Sequence, residues 1–500
     1  MRAGRVAGWA TLVAVMTAVA TWTALPLLVQ WLPVDGPERP PVQQAGTLPA
    51  RVGAPAIWTP DQEQSPIGAA SVYYTSNTWF DDSHLAVGLV GRGTDTYRVG
   101  RFTGAAGMTG AISPDGARLA VEDGLVDLAT GRLTGYPEPW AGHSVQPQAW
   151  SPDGARLAVL VGDHETESDG ATGTGDAATG TGDAATGTGD GATGTGDGAT
   201  GTGDAATGED DSTAGEQDDG GTGADEAEKA PLTRVRLALL EPANGTIREI
   251  ARLSDRAALP GWTVAFSPDG SRLAFPSEDR LHVRTLAGGT TIDLPLPADA
   301  RIAGKGAWTR DGRNLLVVSG ARCDCGDHPV RWTVTTISAT DGAVTGTEIS
   351  REGVYALRVI GWWPSGTPVA VEYTAVSGAD PSLFTDPAGR DGLTSQIDIE
   401  AARLIDLGTG RTLLTDGSTI VPGAIESLDI PDQVLAAGAV RPGDPPLLDH
   451  GTVLLIPASI FAVSLVVVIA ATVLRLARRE DPGGTPPADP ISRDSSAPTG

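Results

Sequence analysis

The only two cysteines of this 500-residue chain stand two apart, in Cys323-Asp324-Cys325-Gly326-Asp327-His328. Two thiols and an imidazole within six residues are soft-metal ligands, but a closed zinc site takes four ligands and this pair is closer than the usual spacing. In an oxidising compartment a local disulfide is the simpler fate, so Cys323, Cys325 and His328 stand as metal candidates behind it. The other histidines, His84, His143, His164, His282 and His450, are scattered without paired spacing. No Gly-x-Ser-x-Gly elbow, phosphate-binding loop or dinucleotide fingerprint occurs, and no motif calls for a cofactor.

Regularly spaced carboxylates offer a second chemistry. A seven-residue period, Asp176-Ala177-Ala178-Thr179-Gly180-Thr181-Gly182, recurs with Ala/Gly swaps to Gly208. Calcium could take such oxygens, yet calcium-binding β-helices need a bulky apolar residue in every repeat and this one has none. The acidic Gly/Thr/Asp segment 163–230 therefore reads as disordered, a solvated and self-repelling spacer, and calcium is disfavoured. It holds roughly two thirds of the net charge of -27. The remainder is only mildly acidic and shows no basic stripe, which argues against nucleic acid as a partner.

Trp150, Trp308 and Trp362 are tempting platforms for a sugar, but each stands just before a recurring turn, a place better explained by packing between repeats. That turn organises the chain. Trp150-Ser151-Pro152-Asp153-Gly154-Ala155-Arg156-Leu157-Ala158-Val159 reads as strand, tight turn, strand. Pro presets φ at the first corner, Asp bonds back to the local backbone and Gly accepts positive φ. Ile112 to Val121 and Phe266 to Phe275 repeat it almost letter for letter, and Trp308 to Val317 keeps Asp311-Gly312. Looser copies run from Trp79 to Val87, Trp362 to Val371 and Leu428 to Ala437. A second hairpin follows most copies, turning at Thr130-Gly131, Asn244-Gly245, Gly288-Gly289, Asp341-Gly342 and Thr409-Gly410. Two hairpins make four antiparallel strands, one propeller blade.

The Ser-Pro-Asp-Gly-x-x-Leu-Ala-Phe/Val unit, with its following strand and Asp-Leu-x-Thr-Gly turn, resembles the WD40-like repeat of TolB-type β-propellers. That resemblance covers most of Trp79 to Val440 apart from the acidic insert. It implies an all-β propeller used mainly for protein–protein contact and brings no catalytic residues. Two features depart from it: the flanking apolar runs and the insert. Seven motif copies favour seven blades over six. Ring closure predicts that the early strands Ala56 to Pro60 and Ala69 to Ser76 complete the blade of Leu428 to Ala437, because an open stack leaves exposed edges.

Apolar runs bracket this propeller at 6–32 and 452–474. The first follows Arg2 and Arg5; the second ends in Arg475, Arg478 and Arg479. Ala18-Val19-Ala20 resembles a signal-peptidase site, but the apolar stretch continues well past it. Two retained spans put both Arg-flanked ends in the cytoplasm. The resulting plan is a cytoplasmic N-terminus at 1–5, a span at 6–32, a Pro-rich linker at 33–50 and an extracytoplasmic propeller at 51–440. A linker at 441–451, a span at 452–474 and a disordered cytoplasmic tail at 475–500 follow. Such a chain belongs in a bacterial cell membrane. In that tail Ser492, Ser495 and Ser496 are no better phosphorylation candidates than the serines of any disordered tail.

Both hairpin turns of a blade must emerge on one face and the connections between second and third strands on the other. The long segments fall in the second class: the insert, the Cys323 to His328 loop, and 372–395. Binding surfaces are commonly built from such loops, so Ser382, Phe384, Arg390 and Asp391 are the partner-binding candidates. The reading is a non-enzymatic binding or scaffolding module for an envelope protein. Its rival is an envelope propeller enzyme, hydrolase or lactonase, with its site at the central channel; carboxylates or histidines converging there would favour it.

Overall fold

The computed structural model describes residues 46–56, 58–76, 86–102, 110–140, 143–164, 232–253, 264–277, 280–297, 300–325, 330–375, 399–417, 425–446 and 464–472. The Ser-Pro-Asp-Gly turns form as their residue types require. Gly154 N–H donates to Ser151 O at 2.7 Å and Gly270 N–H to Ser267 O at 2.8 Å. The two glycines have φ of 67° and 66°, a region costly for a residue with a Cβ. The turn aspartate accepts from both the Ser hydroxyl and the backbone beyond the glycine, as in Ser267 Oγ to Asp269 Oδ1 at 2.6 Å and Ser271 N to Asp269 Oδ1 at 3.1 Å.

Six four-strand antiparallel units follow, making a six-bladed propeller. Blade 1 joins β26 (Ser427–Asp429) to β3 (Ala70–Ser76), β4 (Ala86–Gly91) and β5 (Tyr97–Gly100). Blade 2 is β6 (Ala111–Ile112), β7 (Arg118–Val121), β8 (Gly124–Asp127) and β9 (Leu133–Gly135). Blade 3 is β10 (Ser144–Trp150), β11 (Leu157–His164), β12 (Leu232–Glu241) and β13 (Thr246–Arg252). Blade 4 is β14 (Ala265–Phe266), β15 (Arg272–Ser277), β16 (Arg280–Thr285) and β17 (Thr291–Pro295). Blade 5 is β18 (Ala300–Ile302), β19 (Asn314–Arg322), β20 (Val330–Ser338) and β21 (Ile349–Glu352). Blade 6 is β22 (Ala356–Trp362), β23 (Pro368–Ala375), β24 (Ile399–Asp406) and β25 (Thr412–Asp416), with β2 (Arg51–Val52) added parallel to β25.

The seventh blade is a double count. Trp79 to Val87 and Leu428 to Ala437 look like two motifs, yet the described end of the first, Ala86 and Val87, opens β4 of the same blade 1 in which Leu428 pairs with Tyr74. The late copy supplies one strand and then turns into helix α1 (Asp432–Ala437), since its second strand is already provided by Ala70–Ser76. The expected closure by Ala69 to Ser76 is therefore present. Among the described residues of Ala56 to Pro60 no strand forms; next to them Asp61 makes an isolated parallel bridge to Val99.

Parts of both predicted linkers are also pinned. β1 (Leu48–Pro49) pairs in parallel with β27 (Val440–Arg441), so the ends of the propeller run side by side. The run 6–32 lies outside the described residues, as does most of 452–474. Within the latter, 464–472 is helical and exposes Leu465, Val466, Val467 and Ile469. Among the described residues no helix is long and apolar enough to cross a membrane. The chain divides into the propeller and a unit spanning His164–Pro231, which beyond the end of β11 lies outside the described residues.

Candidate functional site at the ring closure

Neighbouring blades are joined by a repeated staple on the turn-bearing face. The Trp150 indole N–H of blade 3 donates to Ala111 O of blade 2 at 3.0 Å. Trp308 does the same to Ala265 O and Trp362 to Gly306 O, each at 3.0 Å. The arginine after the turn answers from the preceding blade. Arg118 lies 4.7 Å over the Trp150 ring and donates to Gly154 O at 2.6 Å. Arg156 bonds Gly270 O at 2.9 Å, and Arg272 stacks 4.5 Å over Trp308 while bonding Gly312 O. These tryptophans are thus fixed between blades, with Trp150 and Trp308 buried. Cation–π contact and a charge-assisted bond to one carbonyl give the seams of blades 2 and 3 and of blades 4 and 5 both energy and register.

Blade 1 breaks the pattern. Aligned on Pro431-Asp432, the place held elsewhere by Ile112, Trp150, Phe266, Trp308 and Trp362 is taken by Asp429. Its carboxylate accepts from Ile112 N of blade 2 at 3.2 Å and from Lys305 Nζ of blade 5 at 2.7 Å. Lys305 also reaches Ile430 O at 3.0 Å and Asp432 at 3.7 Å. Blades 5 and 1 are not neighbours in a ring of six, so Lys305 spans in front of blade 6, on the axial side where the first strand of every blade lies. Arg358 of blade 6 donates to Leu428 O at 2.6 Å, and Tyr373 bonds Ser427 and Arg358.

This cluster is the candidate site. The side chains of Asp429 and Lys305 are only 4% and 13% exposed, whereas that of Asp432 is 45% exposed. Asp432 stands at the rim of the cluster, its carboxyl part-way into solvent. Partial burial raises its pKa, as does the nearby Asp429 charge, with Lys305 opposing. Burial also raises the Tyr73 hydroxyl, as does Asp429, with Arg358 opposing. A second buried carboxylate, Glu372 on β23, is clamped by Arg351 of blade 5 at 2.6 Å and by Arg403 at 2.8 Å.

The sequence-predicted residues lie elsewhere. Cys323 and Cys325 are joined as a disulfide, which commits both thiols, and His328 is outside the described residues. Ser382, Phe384, Arg390 and Asp391 fall in 376–398, also outside them, as do Ser492, Ser495, Ser496 and the acidic repeat. The strands that flank the Cys323 loop and 376–398 are the second and third of blades 5 and 6, so those two connections start from the face opposite the turns. His282 bonds Asp293 at 2.6 Å and stacks on Phe275 at the surface of blade 4. Among the described residues no group of three or more His, Cys, Asp or Glu could hold a metal ion. Lys305, Asp429 and Arg358 escaped the sequence reading. The one signal was Asp429 itself, a charge at a place where every other copy has an apolar residue.

The fold and its seams define a six-bladed β-propeller. No family model and no curated protein matches the chain. Among solved structures it is similar to TolB from Acinetobacter baumannii, at 12% identity and TM-score 0.32 over 65% of this chain and 63% of that one. It thus spans less than two thirds of that protein's length. It is also similar to a putative TolB from Agrobacterium tumefaciens, at 14% and 0.34 over 72% and 94%. An oligogalacturonate lyase from Vibrio parahaemolyticus matches at 11% and 0.36 over 76% and 82%. These neighbours include both TolB proteins and enzymes, and the blade count rests on this chain's own strand pairing.

Proposed function

We propose that the chain is a membrane-anchored, extracytoplasmic propeller that acts as a non-enzymatic binding or scaffolding module for an envelope protein. Spans at 6–32 and 452–474 hold it, with both termini cytoplasmic in a bacterial cell. One observation carries the non-enzymatic reading: among the described residues the buried charges of Lys305 and Asp429 are spent on each other. Lys305 bonds Asp429 and Ile430 O and lies within ion-pair range of Asp432, and Asp429 also caps Ile112 N–H, so the cluster closes the ring. The partner engages the loop-bearing face through Ser382 to Asp391 and the Cys323 to His328 loop. The test is crosslinking capture from membranes: Phe384→Ala with Arg390→Ala should lose the partner at an unchanged melting temperature. Capture that survives both changes overturns the docking site.

A second reading has one observation in its favour. Asp432 touches solvent beside the buried Asp429, and burial and that neighbouring charge raise its carboxyl, as suits a proton donor. Under that reading Asp432→Asn abolishes turnover of an ester or lactone substrate while the fold persists. Under the binding reading it leaves partner capture intact.

A further inference from the structure

The two ends of the propeller leave it at different heights. Gly46 lies against Arg92 and Val434, beside the tight turns. From there 46–52 runs toward the opposite, loop-bearing face, because Arg51–Val52 pairs in parallel with β25, which runs that way. The C-terminal segment takes the same course. Val440 pairs with Leu48, Ala50 N–H donates to Arg441 O at 2.7 Å, and Gly443 sits on Arg51. Pro445 then reaches Gly417, just past the end of β25. The N-terminal connection is therefore made at the turn face, and the C-terminal one at the loop face.

The connecting lengths match those heights. Between Pro446 and the apolar run starting at Thr452 lie only residues 447–451, so six peptide steps reach at most about 20 Å. From Leu32 to Gly46 there are fourteen steps, at most about 48 Å. A blade stands about 26 Å tall, from the eight residues of β24 at ~3.3 Å each. The short connection brings the loop-face rim at the blade 6 and blade 1 seam close to the bilayer. The long one is long enough to climb past the blade to Gly46. The inverted orientation fails on length, since about 20 Å of chain cannot span a 26 Å blade before entering the membrane.

We infer that the propeller is held with the loop-face rim of blades 6 and 1 against the lipid bilayer and its tight-turn face directed away from it. This rests on the membrane-span reading above and makes it more specific: a partner docked on the loop face at that rim is itself embedded in the membrane.

Two ends of one strand report the orientation. Glu400 and Thr409 are both exposed, Glu400 near the loop-face start of β24 and Thr409 in the turn beyond its other end. With Cys323 and Cys325 joined, Glu400→Cys or Thr409→Cys adds the only free thiol. The full chain carrying a donor dye at either place is reconstituted into phosphatidylcholine vesicles with headgroup-labelled acceptor lipid. The expected result is several-fold greater energy transfer from position 400 than from 409. Inserting a long Gly/Ser segment after Pro446 should erase that difference. Equal or reversed transfer, in chains that float with the vesicles and resist alkaline extraction, overturns the orientation alone. Chains that do not float overturn the span reading and the orientation together.

Discussion

Blades 2 to 5 and blade 1 use the same turn motif in opposite ways. In the regular blades the turn aspartate is an acceptor that ties a tight corner. The Ser267 hydroxyl, with the Ser271 hydroxyl and N–H, holds the Asp269 carboxyl down at about 2, and Asp153 and Asp311 are lowered by the same kind of bonds. In blade 1 the matching Asp432 opens a helix, has no such serine, and its pKa is raised. The position three before it changes too, from an apolar side chain, which in Trp150 and Trp308 donates an indole N–H to a carbonyl, to a carboxylate that accepts from an amide and an ammonium. An apolar staple suits a seam formed between consecutive blades. At the closure, two ends distant in sequence must find one register, and directional charges specify that register better than apolar contact does.

Breaking a regular seam should give the largest effect. Trp308→Ala removes a buried indole and its bond to Ala265 O, and is expected to cost about 3–5 kcal/mol in denaturant unfolding. A loss under about 1 kcal/mol would deny the indole its place in the seam.

Next comes the closing seam. Asp429→Ala leaves Lys305 buried without its main partner, and about 3 kcal/mol is expected. That is the low end for such a change, because Ile430 O remains as an acceptor and Asp432 as a nearby counter-charge. The pair Lys305→Met with Asp429→Leu should recover most of the loss. If the double variant is as unstable as the single one, the cluster does more than neutralise itself.

The turn glycine offers a sharper contrast at lower cost. Gly270→Ala places a Cβ at φ 66°, 3.3 Å from the Arg156 guanidinium, and should cost roughly 1 kcal/mol or more. Its counterpart in blade 1 is Gln433, inside α1, where Gln433→Ala should stay within about 0.5 kcal/mol. Similar losses at both places would mean that the helix keeps the turn's constraints.

The smallest effect is read in acid. Asp269 is depressed when folded, so its stabilisation is full above the unfolded carboxylate value and is lost as pH falls from about 4 through about 2. Asp432 has the opposite sign. The folded state binds its proton more readily than the unfolded chain, so its contribution fades as pH rises through its raised value. Asp269→Asn should flatten the acid limb of a stability profile. Asp432→Asn should remove a loss on the rising side, and a parallel response of the two variants would refute the contrast.

The repeat, the two hairpins of a blade and the chemistry of the turns were legible in residue order, because each depends on a few adjacent residues: Pro for φ, Asp for the local bond, Gly for positive φ. The placement of the insert, the Cys323 loop and 376–398 between second and third strands follows from the same local logic. Blade number was not local. Seven motifs became six blades because Ala70–Ser76 occupies the place beside Leu428 that the late motif's own return strand takes in other blades, and only closure decides which strand does so. The site was less legible still. Lys305 and Asp429 are 124 positions apart and meet only because the ring brings blade 5 and blade 1 to opposite sides of blade 6. Arg156 carries no sign in the sequence that it reaches Gly270, 114 positions away, across a seam. Local bonding selects the turn; packing of the closed ring decides which charge faces which.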